Sequence, residues 1–357
     1  MEVWQRRREL GQQVAKQRRL SLDVRFWNDL CDAELGVSPV QESGTLLMTL
    51  RRSVAAGNLI CPVEFHVVEE LHKQRIPEKR LATIALIDEL SARTVLASPP
   101  DRIFLEVLRF VQGAIAGAPP ISAPLEEMWT RPMFAAGHSM PVLEAPPGLP
   151  ADVVERVRMD CEAKWWEFGF AELFAYVGQP PLDGTVKHKT AELLNAAKGD
   201  PTTALKSFET TYWSEVRGTL DVYQPQIQDV ARYLFHQHGG DPNAIKPDEL
   251  QQSFERLRSV LYNAARKIGL KGAVPALHIG ATLYSHLQWD RQRAYKANDV
   301  FDFDHADAAL PYFNAFATDG SLAALLRRSG LASSYACAVL SSYAELFAWL
   351  DRSGVSP

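Results

Sequence analysis

The sequence predicts an α/β protein whose mostly parallel sheet is assembled from two separated pieces of the chain. Short apolar runs alternate with amphipathic helical patterns over 20–74 and again over 274–351. This alternation is typical of helices that pack on a parallel sheet. Between the two pieces the pattern is helical almost throughout. We therefore expect one α/β domain that is interrupted by a large all-α insertion.

The predicted boundaries divide the 357 residues into four segments. A basic helix occupies 1–19, and the first part of the α/β domain occupies 20–75. The helical insertion covers 76–272, and 273–357 complete the domain. The first segment is either a solvated lead-in helix or an arm that contacts phosphates. Its positive charge comes from Arg6, Arg7, Arg8, Lys16, Arg18 and Arg19.

Composition and charge exclude several classes of protein. The net charge of −5 excludes a generally basic nucleic-acid binder, so nucleic acid would have to be bound through local basic patches. The four cysteines form no Cys-x-x-Cys pair, which excludes a zinc ribbon and fits a reducing cytoplasm. No secretory signal follows the N-terminal charges, and the apolar segment Leu331–Leu350 contains Glu345. We therefore expect a cytoplasmic protein with no membrane partner.

An aspartate closes the first predicted strand. Leu20–Asp23 is apolar and compatible with a strand, and Val24–Leu35 has the spacing of a helix. Asp23 therefore lies where parallel sheets place their ligands, at the C-terminal end of a strand. The same position also suits an ordinary helix N-cap.

Three glutamates follow the second predicted strand. The strand is Leu59–Val63, and the helix Glu64–Gln74 comes directly after it. Glu64, Glu69 and Glu70 all lie on this helix, so each is a candidate for the acidic residue of a site at this edge of the sheet.

Long helical patterns fill the segment that follows. Breaks rich in proline and glycine separate them, and no fixed repeat period is present, which excludes a solenoid. The predicted helices are Lys79–Leu96, Asp101–Ala114, Ala151–Val177, Thr185–Lys198, Thr203–Gly218, Gln224–His238 and Pro247–Ile268.

The most acidic stretch lies in the second piece of the domain. A helix is predicted over 301–312 and a buried strand over Asn314–Thr318, with Asp319 in the turn after it. Carboxylates that meet at one point stay ionised together only beside a cation, and a hard cation prefers oxygen ligands. The sequence therefore predicts a divalent cation site here. The acids of this stretch are Asp299, Asp302, Asp304, Asp307 and Asp319.

One histidine accompanies these acids. His305 lies three residues after Asp302 and therefore on the same face of the predicted helix. It either orients a carboxylate or moves a proton there, or it is a buried histidine that bonds a neighbour.

Four of these acids, taken in order, resemble the pattern of the PIN-domain ribonucleases. They are Asp23 in LSLDVRFWNDL, Glu70 in VVEELHK, Asp302 in DFDHA and Asp319 in ATD. The sequence HADAALPYFNAFATDGSLAALL also resembles a signature of a bacterial branch of PIN-like proteins. The resemblance covers the two outer pieces of the chain and leaves out the long helical insertion.

The resemblance implies a PIN-like three-layer α/β/α domain and a metal-dependent endoribonuclease, of the kind that acts as a toxin or defence nuclease. Asp23, Glu70, Asp302 and Asp319 would bind Mg²⁺ or Mn²⁺, which activates water and neutralises charge at the phosphorus. RNA would be the substrate, and an antitoxin or another protein could bind the insertion. Four residues are candidates for binding the phosphates of RNA, and the alternative is that they are ordinary surface or strand-end residues. They are Arg25, Thr318, Arg291 and Arg293.

Alternatives remain open at this point. Glu64 and Glu69 compete with Glu70, and Asp304 and Asp307 compete with Asp302. A second reading is a non-catalytic PIN-like scaffold whose insertion binds a protein or nucleic-acid partner. A third takes Asp302-Phe303-Asp304 as the Asp-x-Asp motif of a sugar-nucleotide transferase, but no other feature of the sequence supports it.

Overall fold

A computed structural model describes residues 2–71, 74, 76–116, 125–137, 150–177, 185–199 and 207–352. Residues 72–73, in the predicted helix Glu64–Gln74, and 203–206, at the start of the predicted helix Thr203–Gly218, lie outside the described residues.

Helices account for most of the described structure. In chain order the elements are α1 Glu2–Ala15, β1 Arg18–Leu22, α2 Val24–Glu34, α3 Gln41–Ala55, β2 Leu59–Ile60, α4 Phe65–Leu71, α5 Pro77–Ser91, β3 Val95–Leu96, α6 Pro99–Ile115, β4 Trp129–Thr130, α7 Pro132–Ala135, α8 Ala151–Glu167, α9 Phe170–Val177, α10 Thr185–Gly199, α11 Phe208–Val222, α12 Gln224–Gln237, α13 Pro247–Ile268, α14 Pro275–Trp289, α15 Ala297–Tyr312, β5 Ala315–Ala317, α16 Gly320–Arg328, α17 Leu331–Ser334, β6 Ala338–Leu340 and α18 Tyr343–Asp351. Short 3₁₀ turns occupy 125–127 and 242–244.

The two outer pieces of the chain form one parallel sheet, with the strand order β2-β1-β5-β6. Leu20 pairs with Ala315, and Ala315 pairs in turn with Ala338. Beyond β2, a parallel bridge between Val63 and Val95 leads to β3. The predicted α/β class, with a parallel sheet built from both ends of the chain, is therefore confirmed.

Helices cover both faces of this sheet. Leu20 and Ala317 belong to a buried cluster that includes residues of α2, α3, α5 and α18. Ile60, Phe316 and Val339 belong to a second cluster, with residues of α1, α14, α15 and α16. Successive side chains of a strand point to opposite faces, so strands buried on both sides read as continuous apolar runs. This explains why the strands were detectable in the sequence.

The expectation that 76–272 is entirely helical is wrong. The predicted helix Lys79–Leu96 ends at Ser91, because Ala92 and Arg93 adopt left-handed backbone angles that end a helix. The chain then enters β3, which pairs antiparallel with β4. These strands continue the domain into the region assigned to the insertion.

The predicted helix Ala151–Val177 is also interrupted, between α8 and α9. The carboxylate of Asp88 accepts the amide N–H groups of Phe170 and Ala171 at 2.8 and 3.1 Å. A Cβ atom on Gly169 would lie 2.6 Å from that carboxylate, so the close approach requires glycine. A side chain distant in sequence therefore sets the start of α9.

The basic N-terminal segment is shorter than predicted and partly buried. Arg18 and Arg19 belong to β1, not to the helix. The side chain of Arg19 donates to the carbonyl of Tyr312 at 2.8 Å, and Arg7 is buried and donates to the carbonyl of Glu127. These arginines hold the segment on the domain, which does not suit a free arm that contacts phosphates.

A buried ionic network joins α6 to the second piece of the domain. Arg102 is 1% exposed and donates to the carboxylate of Asp307 at 2.7 Å. One helical turn later, the carboxylate of Glu106 accepts the hydroxyl of Tyr312 and the backbone N–H of Ala276. The network attaches the helical segment firmly to α14 and α15.

The stability of the fold is expected to fall as the pH rises from about 4.5 to about 7, because burial raises the pKa of Glu106 from 4.5 to about 7 while Arg102 lowers it less. In this range the unfolded chain releases the proton and the native protein keeps it, so the native state binds more protons. The change amounts to about 3 kcal/mol.

Urea unfolding of wild type and Glu106→Gln at several pH values measures this effect. Glutamine does not titrate; its oxygen can accept the N–H of Ala276, and its NH₂ group can donate to the hydroxyl oxygen of Tyr312. The variant is expected to lose this component of the pH dependence. Identical pH profiles for the two proteins would contradict the assignment.

Candidate functional site

Two aspartates end neighbouring parallel strands. Asp23 follows β1, and its backbone N–H donates to the carbonyl of Ala317 in β5 at 2.9 Å. Asp319 follows β5 by two residues. The strand order reverses between β1 and β5, since β2 lies on one side and β6 on the other. Such a reversal opens the crevice in which α/β sheets bind ligands, and both aspartates lie at its edge.

Both aspartates also cap helices. Asp23 accepts the backbone N–H of Arg25 at 3.4 Å, at the start of α2, and Asp319 accepts the N–H of Leu322 at 3.1 Å, at the start of α16. The hydroxyl of Thr318 donates to the second oxygen of Asp23 at 3.2 Å. A carboxylate has about four lone-pair sites, so each aspartate keeps acceptor capacity toward the crevice.

The carboxylate of Asp302, on α15, has no hydrogen bond or ion pair in the described part of the chain. Burial, and then the negative charges of Asp319 and Asp23, together raise the pKa of Asp302 to about 7. The three carboxylates therefore lie close enough to repel one another, although they come from two distant parts of the sequence.

The other acids of α15 face elsewhere. Asp304 binds the ammonium group of Lys187 on α10 at 2.7 Å, and Asp307 binds the guanidinium group of Arg102. Residues two and five positions away from Asp302 lie on other faces of a helix. The geometry therefore separates the three aspartates that the sequence left as alternatives, and Asp302 is the one beside Asp319.

The three glutamates separate in the same way. Glu64 is 1% exposed and accepts the hydroxyl of Ser21 at 3.0 Å. Glu69 pairs with His66 at 3.2 Å. Glu70 lies near enough to Asp23 for its negative charge to raise the pKa of that carboxyl. Burial is the larger cause that raises this pKa, and the positive charge of His305 lowers it. Of the three, Glu70 is the one that joins the aspartates.

His305 lies between two of these glutamates. Its Nδ1 is 2.8 Å from the carboxylate of Glu64, and its Nε2 is 3.6 Å from that of Glu70. Burial lowers the pKa of His305, but the carboxylates of Glu64 and Glu70 outweigh it and raise the pKa well above its ordinary value. His305 is therefore both a buried, bonded histidine and a positive charge beside the acidic cluster.

The predicted phosphate-binding residues differ in position. Thr318 is buried and holds Asp23, while Arg25 is exposed two residues after Asp23. Arg293 is engaged by Asp299 at the start of α15, and Arg291 is exposed in the turn after α14. Arg25 is thus next to the cluster along the chain, whereas no described contact joins Arg291 or Arg293 to the four carboxylates.

The pairing of Glu64 with His305 was not predicted. The two residues are 241 positions apart, and no local pattern connects them. Ser21 was detectable, because it lies two residues before Asp23 and therefore points to the same side of β1.

The donor chemistry of the cluster fits a hard cation, because its donors are carboxylate oxygens and the four carboxylates outnumber the single positive charge of His305. The side chains are not closed around an ion: within the described ranges, no three His, Cys, Asp or Glu side chains are arranged to hold one. Binding would therefore require the carboxylates to move toward each other.

Comparisons of the chain with family models, curated proteins and solved structures found no match. Across the described residues, no helix combines the length and the apolar character needed to cross a membrane. The function must accordingly be argued from the chemistry of the site itself.

Proposed function

We propose that this chain is a metal-dependent ribonuclease with a PIN-like domain, in which Asp23, Glu70, Asp302 and Asp319 bind Mg²⁺ or Mn²⁺. The observation that carries the proposal is the carboxylate of Asp302, which has no bonded partner among the described residues and lies close enough to Asp319 and Asp23 for their charges to raise its pKa. An acid held this way against other acids is stabilised by a cation.

The position of the cluster supports an active site over a chance gathering of charges. The cluster lies at the point where the strand order reverses, and helix N-termini begin at both Asp23 and Asp319. Parallel α/β sheets bind ligands at such a point. The parallel bridge from Val63 to Val95 extends the sheet beyond β2, which agrees with the mostly parallel sheet that a PIN-like domain would have.

The residues of the chain have separate tasks in this proposal. Asp302, Asp319, Asp23 and Glu70 would hold the ion, which supplies an activated water and neutralises charge on the phosphoryl oxygens. Thr318 holds the carboxylate of Asp23 in place. The exposed guanidinium group of Arg25 is available to a phosphate of the RNA strand.

The pair of Glu64 and His305 would position Glu70. Because Glu64 is buried and bonded to Ser21, it fixes the imidazole, and the imidazole in turn lies beside the carboxylate of Glu70. Carboxylates that bind a metal are commonly held in place by neighbouring groups that do not bind it.

A non-catalytic scaffold is the second candidate function. One observation favours it, namely that the carboxylates are not closed around an ion in the described structure. In this reading the helical segment would carry the function by binding a partner, and the acidic cluster would be a remnant.

Titration with Mn²⁺ distinguishes the two candidates. The ribonuclease is expected to cleave single-stranded RNA with Mn²⁺, to stop when EDTA is added, and to resume when Mn²⁺ is restored. Because the ion binds the native state, the melting temperature of the protein should also rise. The free energy of unfolding should increase by about 2.7 kcal/mol when the Mn²⁺ concentration is 100 times the dissociation constant.

Two results would contradict the ribonuclease. Cleavage that continues in EDTA would exclude a metal-dependent reaction at this site. No cleavage together with no shift in melting temperature at millimolar Mn²⁺ would favour the scaffold.

A further inference from the structure

A surface groove between α11 and α13 has no role in the site described above. Its larger cavity has a volume of about 380 Å³ and is lined in part by Trp213, Arg217, Tyr262 and Arg266. A second cavity of about 290 Å³ shares Arg217 and Tyr262 with the first. Each volume is near the lower end of the range for small-molecule sites, so the pair suits a narrow, extended ligand.

The two helices present the same pattern to this groove. Trp213 and Arg217 are four residues apart on α11, and Tyr262 and Arg266 are four residues apart on α13, so each pair shares one helix face. The indole and phenol rings meet edge to face, with their centroids 5.7 Å apart. The guanidinium group of Arg217 lies 5.0 Å from the centre of the Tyr262 ring, and that of Arg266 lies 5.6 Å from Trp213.

The two arginines of the groove keep their positive charge available. In the described structure, no carboxylate lies within ion-pairing distance of Arg217 or Arg266, and both side chains are exposed. Arg258, on the same face of α13, differs because it is paired with Asp221 and Glu255. Glu209 also lines the larger cavity and limits how much anionic charge it attracts.

We propose that this groove binds single-stranded RNA. Bases would stack on the rings of Trp213 and Tyr262, and Arg217 and Arg266 would contact the phosphates between them. Aromatic rings interleaved with arginines are how proteins hold single strands without reading their sequence. A chain of net charge −5 must bind a polyanion through such a local patch. The choice of RNA over DNA rests on the proposed function.

Binding can be measured apart from cleavage. The full chain carrying Asp302→Asn, kept in EDTA, is titrated against a fluorescein-labelled single-stranded RNA of about 12 nucleotides. Arg217→Gln together with Arg266→Gln removes two exposed charges from the groove. The matched control, Arg232→Gln with Arg256→Gln, removes two exposed charges from α12 and from the far face of α13.

The groove variant is expected to bind roughly tenfold more weakly than the control. The slope of log affinity against log salt concentration should fall in magnitude by about 1.4, which corresponds to two phosphate contacts to a single strand. Trp213→Leu should also weaken binding by roughly tenfold, since one stacked base is lost. Circular dichroism of each variant verifies that it is folded.

Equal affinity and equal salt slope in the groove and control variants would overturn the inference, as would an absence of RNA binding by the parent protein at low salt. Binding of an oligoglutamate peptide as tight as that of RNA, without an effect of Trp213→Leu, would show a site for anions in general and would also overturn it. RNA binding that depends on the groove, in a protein that never cleaves RNA, would support the inference while rejecting the proposed function.

Discussion

Replacing Asp302 by asparagine is expected to reduce Mn²⁺-dependent cleavage of single-stranded RNA at least about 100-fold, because even groups that only support metal ligands change activity by about 10 to 100-fold. Asparagine keeps the size of the side chain and removes its charge. Without metal, the variant should be at least as stable as wild type, since it removes a carboxylate that lies beside Asp319 and Asp23.

Asp304→Asn is the matched control. Asp304 lies on the same helix, carries the same charge and is bound to Lys187 on α10. Its replacement is expected to leave the cleavage rate within about threefold of wild type, since the carboxylate of Asp304 is bound to Lys187 on a face of α15 that does not carry Asp302. Cleavage rates measured at equal protein concentration test both variants. Equal rates in wild type and Asp302→Asn would reject Asp302 as a ligand and would point to a contaminating nuclease.

Replacing Arg102 by methionine is expected to lower the free energy of unfolding by about 3–5 kcal/mol, because it leaves buried carboxylates without their partner. Arg102 is 1% exposed and is bound to both the carboxylate and the backbone carbonyl of Asp307. A loss of this size is a large part of the stability of a typical domain.

The control for this variant is Arg232→Met on α12. Arg232 pairs with Asp229 three residues earlier, but the two side chains are 44% and 56% exposed. Because water screens this pair, its loss should cost less than about 1 kcal/mol. Urea unfolding measures both variants. Similar losses in the two would mean that the buried network does not hold the helical segment on the domain.

Elements with a strong local pattern were predictable. The strands near both ends and the helix predicted at 301–312, observed as α15 over Ala297–Tyr312, follow from apolar runs and from spacings of three and four. The sequence also shows that Asp23 and Asp319 each follow a strand, because an apolar run precedes each residue and a helical pattern follows it. Asp23 and Asp319 serve as caps and face the crevice, so the two readings of such a residue are compatible.

Features that depend on distant partners were not predictable. The left-handed residues at 92–93 and the short strand β3 have little local signal, and the strand forms because it pairs with β4, which lies more than 30 residues later in the chain. Which aspartate of α15 faces the crevice depends on Lys187 and Arg102, both in the segment assigned to the insertion. Residues inside the predicted insertion therefore help to arrange the acidic cluster.

In the proposed site, acidic residues from both ends of the chain bind one divalent ion. The affinity of the protein for Mn²⁺ is the most direct test of this site. Calorimetric titration of wild type, Asp302→Asn and Asp304→Asn compares the three proteins under one set of conditions. The expected result is one site in wild type, at least about tenfold weaker in Asp302→Asn and unchanged in Asp304→Asn. Equal affinity in all three proteins, or no binding by wild type at millimolar Mn²⁺, would contradict the account.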